Sequence, residues 1–157
     1  MISSFYDRRS GHSVLSNFYE GAPFSAPIFA LRDTGFPSFP WKTVEHYYQA
    51  AKAAARYDAL MIRDTATPGE AKKLGRAAKL RPDWEQVKLS VMREALALKF
   101  AEGTAEAAYL VSTAGHYLQE GNTWGDTFWG VCDGVGENWL GHLLMARRSE
   151  LMCTEEE

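Results

Sequence analysis

The sequence has little of several features that mark particular classes of protein. It contains only two cysteines, Cys132 and Cys153, so a disulfide-stapled extracellular scaffold is excluded and a reducing compartment is favoured. No hydrophobic run reaches the length of a membrane span, and the N-terminus lacks the apolar core of a secretory signal. We therefore expect a cytoplasmic protein with no membrane partner.

Excess positive charge and clustered histidines are also missing. Lys and Arg total 17 against 20 Asp and Glu, a net charge of −3, which argues against extensive binding of duplex nucleic acid. The four histidines have no ligand-like spacing, so neither a metal nor another cofactor is predicted. The P-loop, Rossmann and Gly-x-Ser-x-Gly patterns are absent too.

What is present indicates one globular domain spanning residues 1–157, because 46% of the residues are hydrophobic and the length suffices for a core. Short β-type runs at 3–6, 14–19 and 27–31 are broken by Gly, Pro and Asp. From residue 43 onward helical spacing dominates. The sequence thus predicts a compact, mainly α fold with a small N-terminal antiparallel β element.

Helix starts can be placed from capping signals. Thr43 caps a first helix, whose apolar stripe continues to Ala55. Residues 67–70 (TPGE) form a capping box with Pro at the first helical position. Asp83 opens the longest helix, to about residue 100. Further starts are predicted at Thr104 and near Asn138.

The first helix carries a polar row, Glu45, Gln49 and Lys52, beside its apolar stripe. Taken alone, such a row is typical of a solvated helix face, and one wall of a catalytic cleft is the alternative. Glu45 falls in the first turn, where the helix dipole favours its ionised form. Gln49 receives no role of its own.

Two later segments are candidates for a site. In residues 124–130 (WGDTFWG), Asp126 is either a turn residue that accepts backbone N–H groups or an acid/base in an aromatic recess, with Asp133 as a rival. Gly134 and Gly136 precede the last helix, where free N–H groups would bind phosphate, unless the glycines only make a tight turn. Arg76 is a second candidate phosphate ligand.

Five ordered segments resemble the NADAR (YbiA-like) family of N-glycosidases over nearly the whole chain. They are residues 15–19 (LSNFY), 43–52 (TVEHYYQAAK), 75–79 (GRAAK), 83–92 (DWEQVKLSVM) and 126–147, which contains DTFWG and GxGxNxLGxxLM. The resemblance implies a compact orthogonal helical fold. Residues 131 and 132 (VC) depart from the more polar or glycine residues expected there.

The resemblance also implies the reaction. Members of the family hydrolyse the C–N bond between a ribosyl carbon and a base amine, either in ribosylated riboflavin intermediates or in ADP-ribosylated guanine of nucleic acid. The family's glutamate, tryptophan and aspartate match Glu45, Trp84 and Asp126, and Lys52 completes the predicted catalytic set. The predicted substrate-binding residues are Asn17, Phe18, Tyr48, Arg76, Trp129, Gly134, Gly136 and Asn138.

On this basis Glu45 is expected to act as general base and Asp126 as its acid/base partner at the sugar. Trp84 would pack on the heterocycle or sugar. Lys52 is expected to form a Schiff base if the sugar ring opens, with a salt bridge or phosphate contact as the alternative.

The predicted substrate carries ADP-ribosyl or phosphoribosyl groups, and no obligate protein partner is implied. The sequence interpretation favours removal of ADP-ribose from guanine, with DNA or RNA bound through one modified base. Hydrolysis of ribosylamino-pyrimidine intermediates of riboflavin biosynthesis is the alternative. A non-catalytic ADP-ribose or nucleotide-binding module is the alternative from a different class.

Overall fold

The computed structural model describes residues 1–154 and confirms a mainly α fold. The helices within this range are α1 (Val44–Lys52), α2 (Arg56–Arg63), α3 (Pro68–Ala77), α4 (Trp84–Lys99), α5 (Ala105–Ser112) and α6 (Trp139–Thr154). The strands are β1 (Ile2–Ser3), β2 (Phe24–Ala26), β3 (Phe39–Trp41), β4 (Leu118–Gln119), β5 (Gly121–Asn122) and β6 (Val131–Cys132).

The strands form three separate pairs. β2 and β3 are antiparallel, which confirms the predicted small N-terminal element. β1 pairs with β4 and β5 pairs with β6, both in parallel. The individual β runs were predicted wrongly, because β2 and β3 lie outside all three of them. Residues 13–15 and 29–31 form 3₁₀ turns, and only Ser3 of the first run lies in a strand.

The chain divides into two compact units. The central unit is Asn17–Lys99, and the terminal unit comprises Met1–Ser16 with the chain from Phe100 onward. The central unit contains β2, β3 and α1 to α4, and the terminal unit contains the other elements. The extent of a single domain over residues 1–157 stays a prediction.

Helix α1 is the centre of the central unit, because it packs against α2, α3 and α4. Every residue of α1 except Lys52 is buried. At its first turn, Tyr47 packs edge-on against Trp41 with ring centroids 5.2 Å apart. The indole N–H of Trp41 donates to the Ala26 carbonyl at 2.9 Å, which fixes β3 and α1 to β2.

Helix α1 is shorter than its apolar stripe predicted. The carbonyl of Lys52 accepts the Arg81 N–H at 2.8 Å, and the Ala54 N–H donates to the Lys79 carbonyl at 2.8 Å. These bonds to residues 79–81 replace the next intrahelical ones, so the chain leaves the helix and begins α2, which was not predicted.

The predicted helix starts are otherwise confirmed. Thr43, Thr67 and Thr104 each accept an N–H from the third residue ahead, and the capping box at Thr67 is complete. Asp83 directly precedes α4, but its carboxylate binds Arg81 at 2.6 and 3.0 Å. Helix α6 begins at Trp139.

In the terminal unit, α6 packs against α5 and β4, and α5 packs against the turn at residues 13–15. Within residues 1–154 we find no helix whose length and apolar character would let it cross a membrane.

Candidate functional site

The polar row of α1 is buried, not solvated. Glu45 and Gln49 are 6% and 4% exposed, and Lys52 is half-buried at the end of the helix. The Gln49 Nε2 donates to Glu45 Oε1 at 2.7 Å, and Lys52 Nζ donates to Gln49 Oε1 at 3.1 Å. The three side chains thus form a continuous hydrogen-bonded chain.

Burial perturbs both charged ends of this chain. Desolvation raises the pKa of Glu45 above its usual value, although the Gln49 hydrogen bond and the charges of Lys72, Lys52 and Arg76 oppose the rise. The net shift of the Glu45 pKa is therefore opposite to the shift that the helix dipole favours at the first turn, and ionisation of Glu45 near neutral pH stays a prediction. Desolvation also lowers the pKa of Lys52, against the attraction of Glu45 and with help from Arg76 and Lys72. Both shifts bring a group closer to titration near neutral pH.

Helix α3 supplies the cations beside Glu45. Lys72 is half-buried and Arg76 is exposed, one helical turn further along. Between them Gly75 lies against the Gln49 side chain, where an alanine Cβ would overlap Gln49 Oε1. Close packing of α3 on α1 therefore depends on this glycine.

The segment before β2 closes another side of α1. The Asn17 carbonyl accepts the Glu45 N–H at 3.0 Å. Its side-chain Nδ2 donates weakly to Met92 Sδ at 3.6 Å, while its buried Oδ1 has no hydrogen-bond partner among the described residues. Phe18 is 40% exposed, with Lys72 Nζ 5.7 Å from its ring centroid. Phe18 is therefore more exposed than the rings of Tyr48 and Trp84, and its substrate contact stays a prediction.

Trp84 lies at the start of α4 and is only 5% exposed. Its indole packs edge-on against Tyr48, with centroids 5.1 Å apart and planes at 66°. In this arrangement Trp84 supports Tyr48 on the face of α1 that also carries Lys52. Its predicted stacking on a substrate stays a prediction.

Asp126 belongs to the terminal unit and has the turn role that was one of its two predicted alternatives. Its Oδ1 accepts the N–H groups of Phe128 at 3.2 Å and Trp129 at 2.9 Å. Asn122 holds the Asp126 backbone from the other side, through bonds of 2.7 and 3.0 Å. A catalytic role for Asp126 stays a prediction.

Sequence reasoning missed a second carboxyl group beside Asp126. Glu120 is 9% exposed, and its buried Oε2 has no hydrogen-bond partner among the described residues. Burial, with a further contribution from the charge of Asp126, raises the pKa of Glu120 to about 7. No periodic or capping signal marks Glu120, since the loop around it is aperiodic.

The N–H groups of residues 137–140, at the start of α6, are used within the terminal unit and are not free for a phosphate group. The amides of residues 137–140 donate to the carbonyls of Thr127, Gly130, Phe128 and Trp129, at 2.8 to 3.3 Å. Gly134 makes a left-handed turn at φ 79°, and a Cβ at Gly136 would overlap the Gly130 carbonyl oxygen. The glycines therefore have the tight-turn role that was the alternative. Substrate binding by Gly134 and Gly136 stays a prediction.

Asn138 is likewise committed to the fold. It is 2% exposed and adopts a left-handed φ of 54°. Its Oδ1 accepts the Glu120 N–H at 2.9 Å, and its Nδ2 donates to the Leu118 carbonyl at 2.9 Å and the Tyr117 hydroxyl at 3.2 Å. It positions the segment that carries Glu120.

The predicted site residues are thus shared between the units. The central unit holds Asn17, Phe18, Glu45, Tyr48, Lys52, Arg76 and Trp84, and the terminal unit holds Asp126, Trp129, Gly134, Gly136 and Asn138. Gln49, which had no predicted role, also lies in the central unit.

Comparison with known proteins decides the family. The NADAR domain matches residues 4–152. The chain belongs to the NADAR family. Its NADAR relatives include an N-glycosidase of Nostoc punctiforme, 43% identical over 71% of this chain and 74% of that protein. The maize riboflavin biosynthesis protein PYRR is 37% identical over 98% of this chain, which spans only 26% of the maize protein.

The NADAR fold is shared with a solved structure as well. Escherichia coli YbiA, named an N-glycosidase, is 41% identical over 96% of this chain and 88% of YbiA. Its NMR structure has a TM-score of 0.78 to this one, with 36% identity, and the match covers 99% of this chain and 87% of that one. The predicted YbiA-like fold is confirmed.

Proposed function

We propose that this NADAR protein hydrolyses the bond between C1 of a phosphorylated ribose and the exocyclic amine of a flat heterocycle. The reaction class rests on its family: the chain is an N-glycosyl hydrolase, like the relatives named N-glycosidases. The finer part of the proposal is the kind of N-glycoside that is cleaved.

The observation that carries the proposal is the buried Glu45, linked through Gln49 to Lys52 and surrounded by three cations. A carboxyl group with a raised pKa can exchange a proton near neutral pH. The cations Lys72 and Arg76 on α3 supply positive charge for a phosphate group. A purely structural helix face has no need for a buried row of this kind.

In the direct route, Glu45 accepts a proton from water as the oxygen forms its bond to C1. The C1–N bond breaks with its electron pair moving to the amine nitrogen, which takes up the proton that Glu45 accepted. The phosphorylated ribose and the free amine are then released. Positive charge that develops at the sugar is stabilised by the Glu45 carboxylate.

In the ring-opened route, Lys52 is the nucleophile. The sugar ring first opens as the bond between C1 and the ring oxygen breaks, which leaves an imine between C1 and the heterocycle amine. The lowered pKa of Lys52 increases its fraction of neutral amine, which adds to C1; the heterocycle amine then leaves and a Schiff base to Lys52 remains. Water then hydrolyses the Schiff base, and Glu45 carries the protons. Both routes place the reacting carbon next to the polar row of α1.

Among substrates, we favour a ribosylamino-pyrimidine of the riboflavin pathway. Supporting this choice, relatives named riboflavin biosynthesis proteins match 98% and 94% of this chain, in maize and in Vibrio vulnificus. The sequence-based preference for ADP-ribosyl-guanine has no such support and stays a prediction. The two substrates share the ribosyl C1–exocyclic amine bond.

The decisive experiment incubates the protein separately with the phosphoribosylamino-pyrimidine and with an ADP-ribosylated guanine oligonucleotide. Mass spectrometry would follow the released heterocycle. We expect release of the pyrimidine by the wild-type protein and not by the Glu45→Gln variant. Release from the oligonucleotide alone would replace the favoured substrate, and release from neither would refute the proposed function.

A further inference from the structure

We propose that Gln49 is a positioning residue, whose carboxamide holds the Glu45 carboxylate and the Lys52 amine in place, and that Gly75 reserves the space this carboxamide needs. The inference rests on the proposed function for its catalytic meaning. Its structural content, the placement of two head groups by a third, can be tested independently.

The direction of the two hydrogen bonds fixes the orientation of the carboxamide. A lysine ammonium can only donate, and a carboxylate can only accept. Gln49 therefore presents Oε1 to Lys52 and Nε2 to Glu45, at 3.1 and 2.7 Å. Because Gln49 is 4% exposed, water does not readily replace either contact.

Gly75 of α3 limits the positions that the carboxamide can occupy. A Cβ at residue 75 would overlap Gln49 Oε1 and lie 2.9 Å from its Cδ and 3.0 Å from its Cβ. A glycine inside a helix is ordinarily less favourable than alanine. Here the missing methyl group allows the Gln49 side chain to lie between α1 and α3.

Within the described residues, three cations lower the pKa of Glu45. Lys72 and Arg76 face it from α3, and Lys52 lies on its own helix. On the other helices packed against α1, Glu94 of α4 is bound to the Tyr47 hydroxyl, and Arg63 of α2 pairs with Asp64. Gln49 is the neutral group that hydrogen-bonds to the Glu45 carboxylate, and its bond lowers the pKa of Glu45.

Two variants remove this support by different means. Gln49→Met keeps the length of the side chain but deletes both hydrogen bonds. Gly75→Ala alters no titratable or hydrogen-bonding group and displaces the carboxamide by steric overlap. Gly69→Ala is the matched control on the same helix, because a Cβ there would meet only Thr67 Oγ1, at 3.9 Å.

The first readout is the titration of the Glu45 carboxyl group, followed by NMR through the chemical shift of its carbon. This measurement needs no substrate. We expect the pKa of Glu45 to rise in Gln49→Met and in Gly75→Ala, because a bond that favours the ionised form is lost. We expect no change in Gly69→Ala. Circular dichroism of each variant checks that the helices remain.

The second readout is the pH profile of turnover. The acidic limb of kcat/KM should move to higher pH in the two variants, and kcat should fall by about tenfold or more with little change in KM. A structural defect alone would lower the amount of active protein without moving the limb.

An unchanged Glu45 titration in both variants would overturn the inference, whether or not the protein is active. If the wild-type protein releases no base from either substrate, the proposed function fails, while the titration still decides the role of Gln49. A shift in Gly69→Ala equal to that in Gly75→Ala would also contradict the role given to Gly75.

Discussion

At the level of single residues, Glu45 is the group on which the proposed chemistry depends most. In Glu45→Gln the amide oxygen can still accept the Gln49 N–H, so the helix packing should survive. The variant cannot exchange a proton, and one acid/base residue typically contributes about 10²–10⁴-fold. We expect turnover to fall at least about a hundredfold, measured as base released under saturating substrate.

The control for this variant is Glu102→Gln, the same substitution at an exposed glutamate of the terminal unit. It should keep the turnover of the wild-type protein. Nearly full activity in Glu45→Gln, with the protein folded, would rule out the role given to Glu45.

Lys52 is the residue that separates the two chemical routes. If the ring-opened route holds, borohydride added during turnover should reduce the Schiff base and leave a stable sugar adduct on Lys52. Peptide mass spectrometry would locate the adduct. The control is Lys88→Met, at a half-buried lysine of α4 that pairs with Glu85, and this variant should keep the adduct on Lys52. Repeated absence of any adduct on Lys52 would favour attack by water.

Glu120 makes a prediction about stability. Its pKa is 4.5 ordinarily and about 7 in the folded protein, so between these values the folded state holds a proton that the unfolded state lacks. The stability that Glu120 contributes is present below about pH 4.5 and is lost as the pH rises through about 7. The loss is about 3 kcal/mol in the free energy of unfolding.

Glu120→Gln imitates the protonated form at every pH. We therefore expect the difference in unfolding free energy, variant minus wild type, to increase between about pH 5 and about pH 8. Urea denaturation at several pH values measures it. Glu102→Gln should show no such trend, and an equally flat difference for Glu120→Gln would mean that the carboxyl group is not desolvated.

At the level of elements, the capping box of α3 should stabilise the helix that carries Lys72, Gly75 and Arg76. The Thr67 hydroxyl accepts the Glu70 N–H at 3.2 Å, and the Glu70 carboxylate accepts the Thr67 N–H at 3.1 Å. Thr67→Ala should lower the free energy of unfolding by about 1 kcal/mol. Thr67→Ser keeps the hydroxyl and should cost much less, as measured by chemical denaturation.

If Thr67→Ala and Thr67→Ser have equal stability, the cap contributes nothing and the start of α3 is held by packing alone. Ala71 and Pro68 are buried in this helix, which makes that outcome a physical alternative.

Local signals explain which elements could be predicted. The caps at Thr43, Thr67 and Thr104 depend on residues at most three apart, so the sequence contains all the necessary information. The end of α1 depends on hydrogen bonds to residues 79–81, and no local pattern contains them. The pairing of β1 with β4 joins residues 2 and 118, which periodicity also cannot predict.

The same distinction applies to the site. The spacing of Glu45, Gln49 and Lys52 predicted that the three share a helix face, but their burial comes from α3 and could not be predicted. The sequence assigned no role to Gln49, because the position of its carboxamide depends on Gly75 of another helix. At α6 the sequence identified the glycines that precede the helix. It could not show that the N–H groups of residues 137–140 donate to the carbonyls of residues 127–130, because those residues come from an earlier part of the loop.

At the level of the whole molecule, charge limits how nucleic acid can be bound. The chain has 20 acidic and 17 basic residues, so its overall field does not attract a polyanion. Three cations lower the pKa of Glu45 and are available near it: Lys52, Lys72 and Arg76. Any contact with a modified oligonucleotide should therefore depend on few phosphates.

This limit gives a prediction about salt. For a single strand the slope of log affinity against log salt concentration is about −0.7 for each phosphate neutralised, so three contacts give about −2. Between about 50 and 200 mM salt we expect affinity for an ADP-ribosylated oligonucleotide to fall by about 20-fold or less. Fluorescence anisotropy with Glu45→Gln, which does not consume the ligand, measures the slope.

Arg76→Gln should reduce the magnitude of this slope by about 0.7, because one phosphate contact is lost. Lys88→Gln, at a residue of α4 that is paired with Glu85, is the matched control and should leave the slope unchanged. A slope steeper than about −4 would require six or more phosphate contacts. That outcome would contradict recognition through one modified base and would mean that a longer basic surface binds the strand.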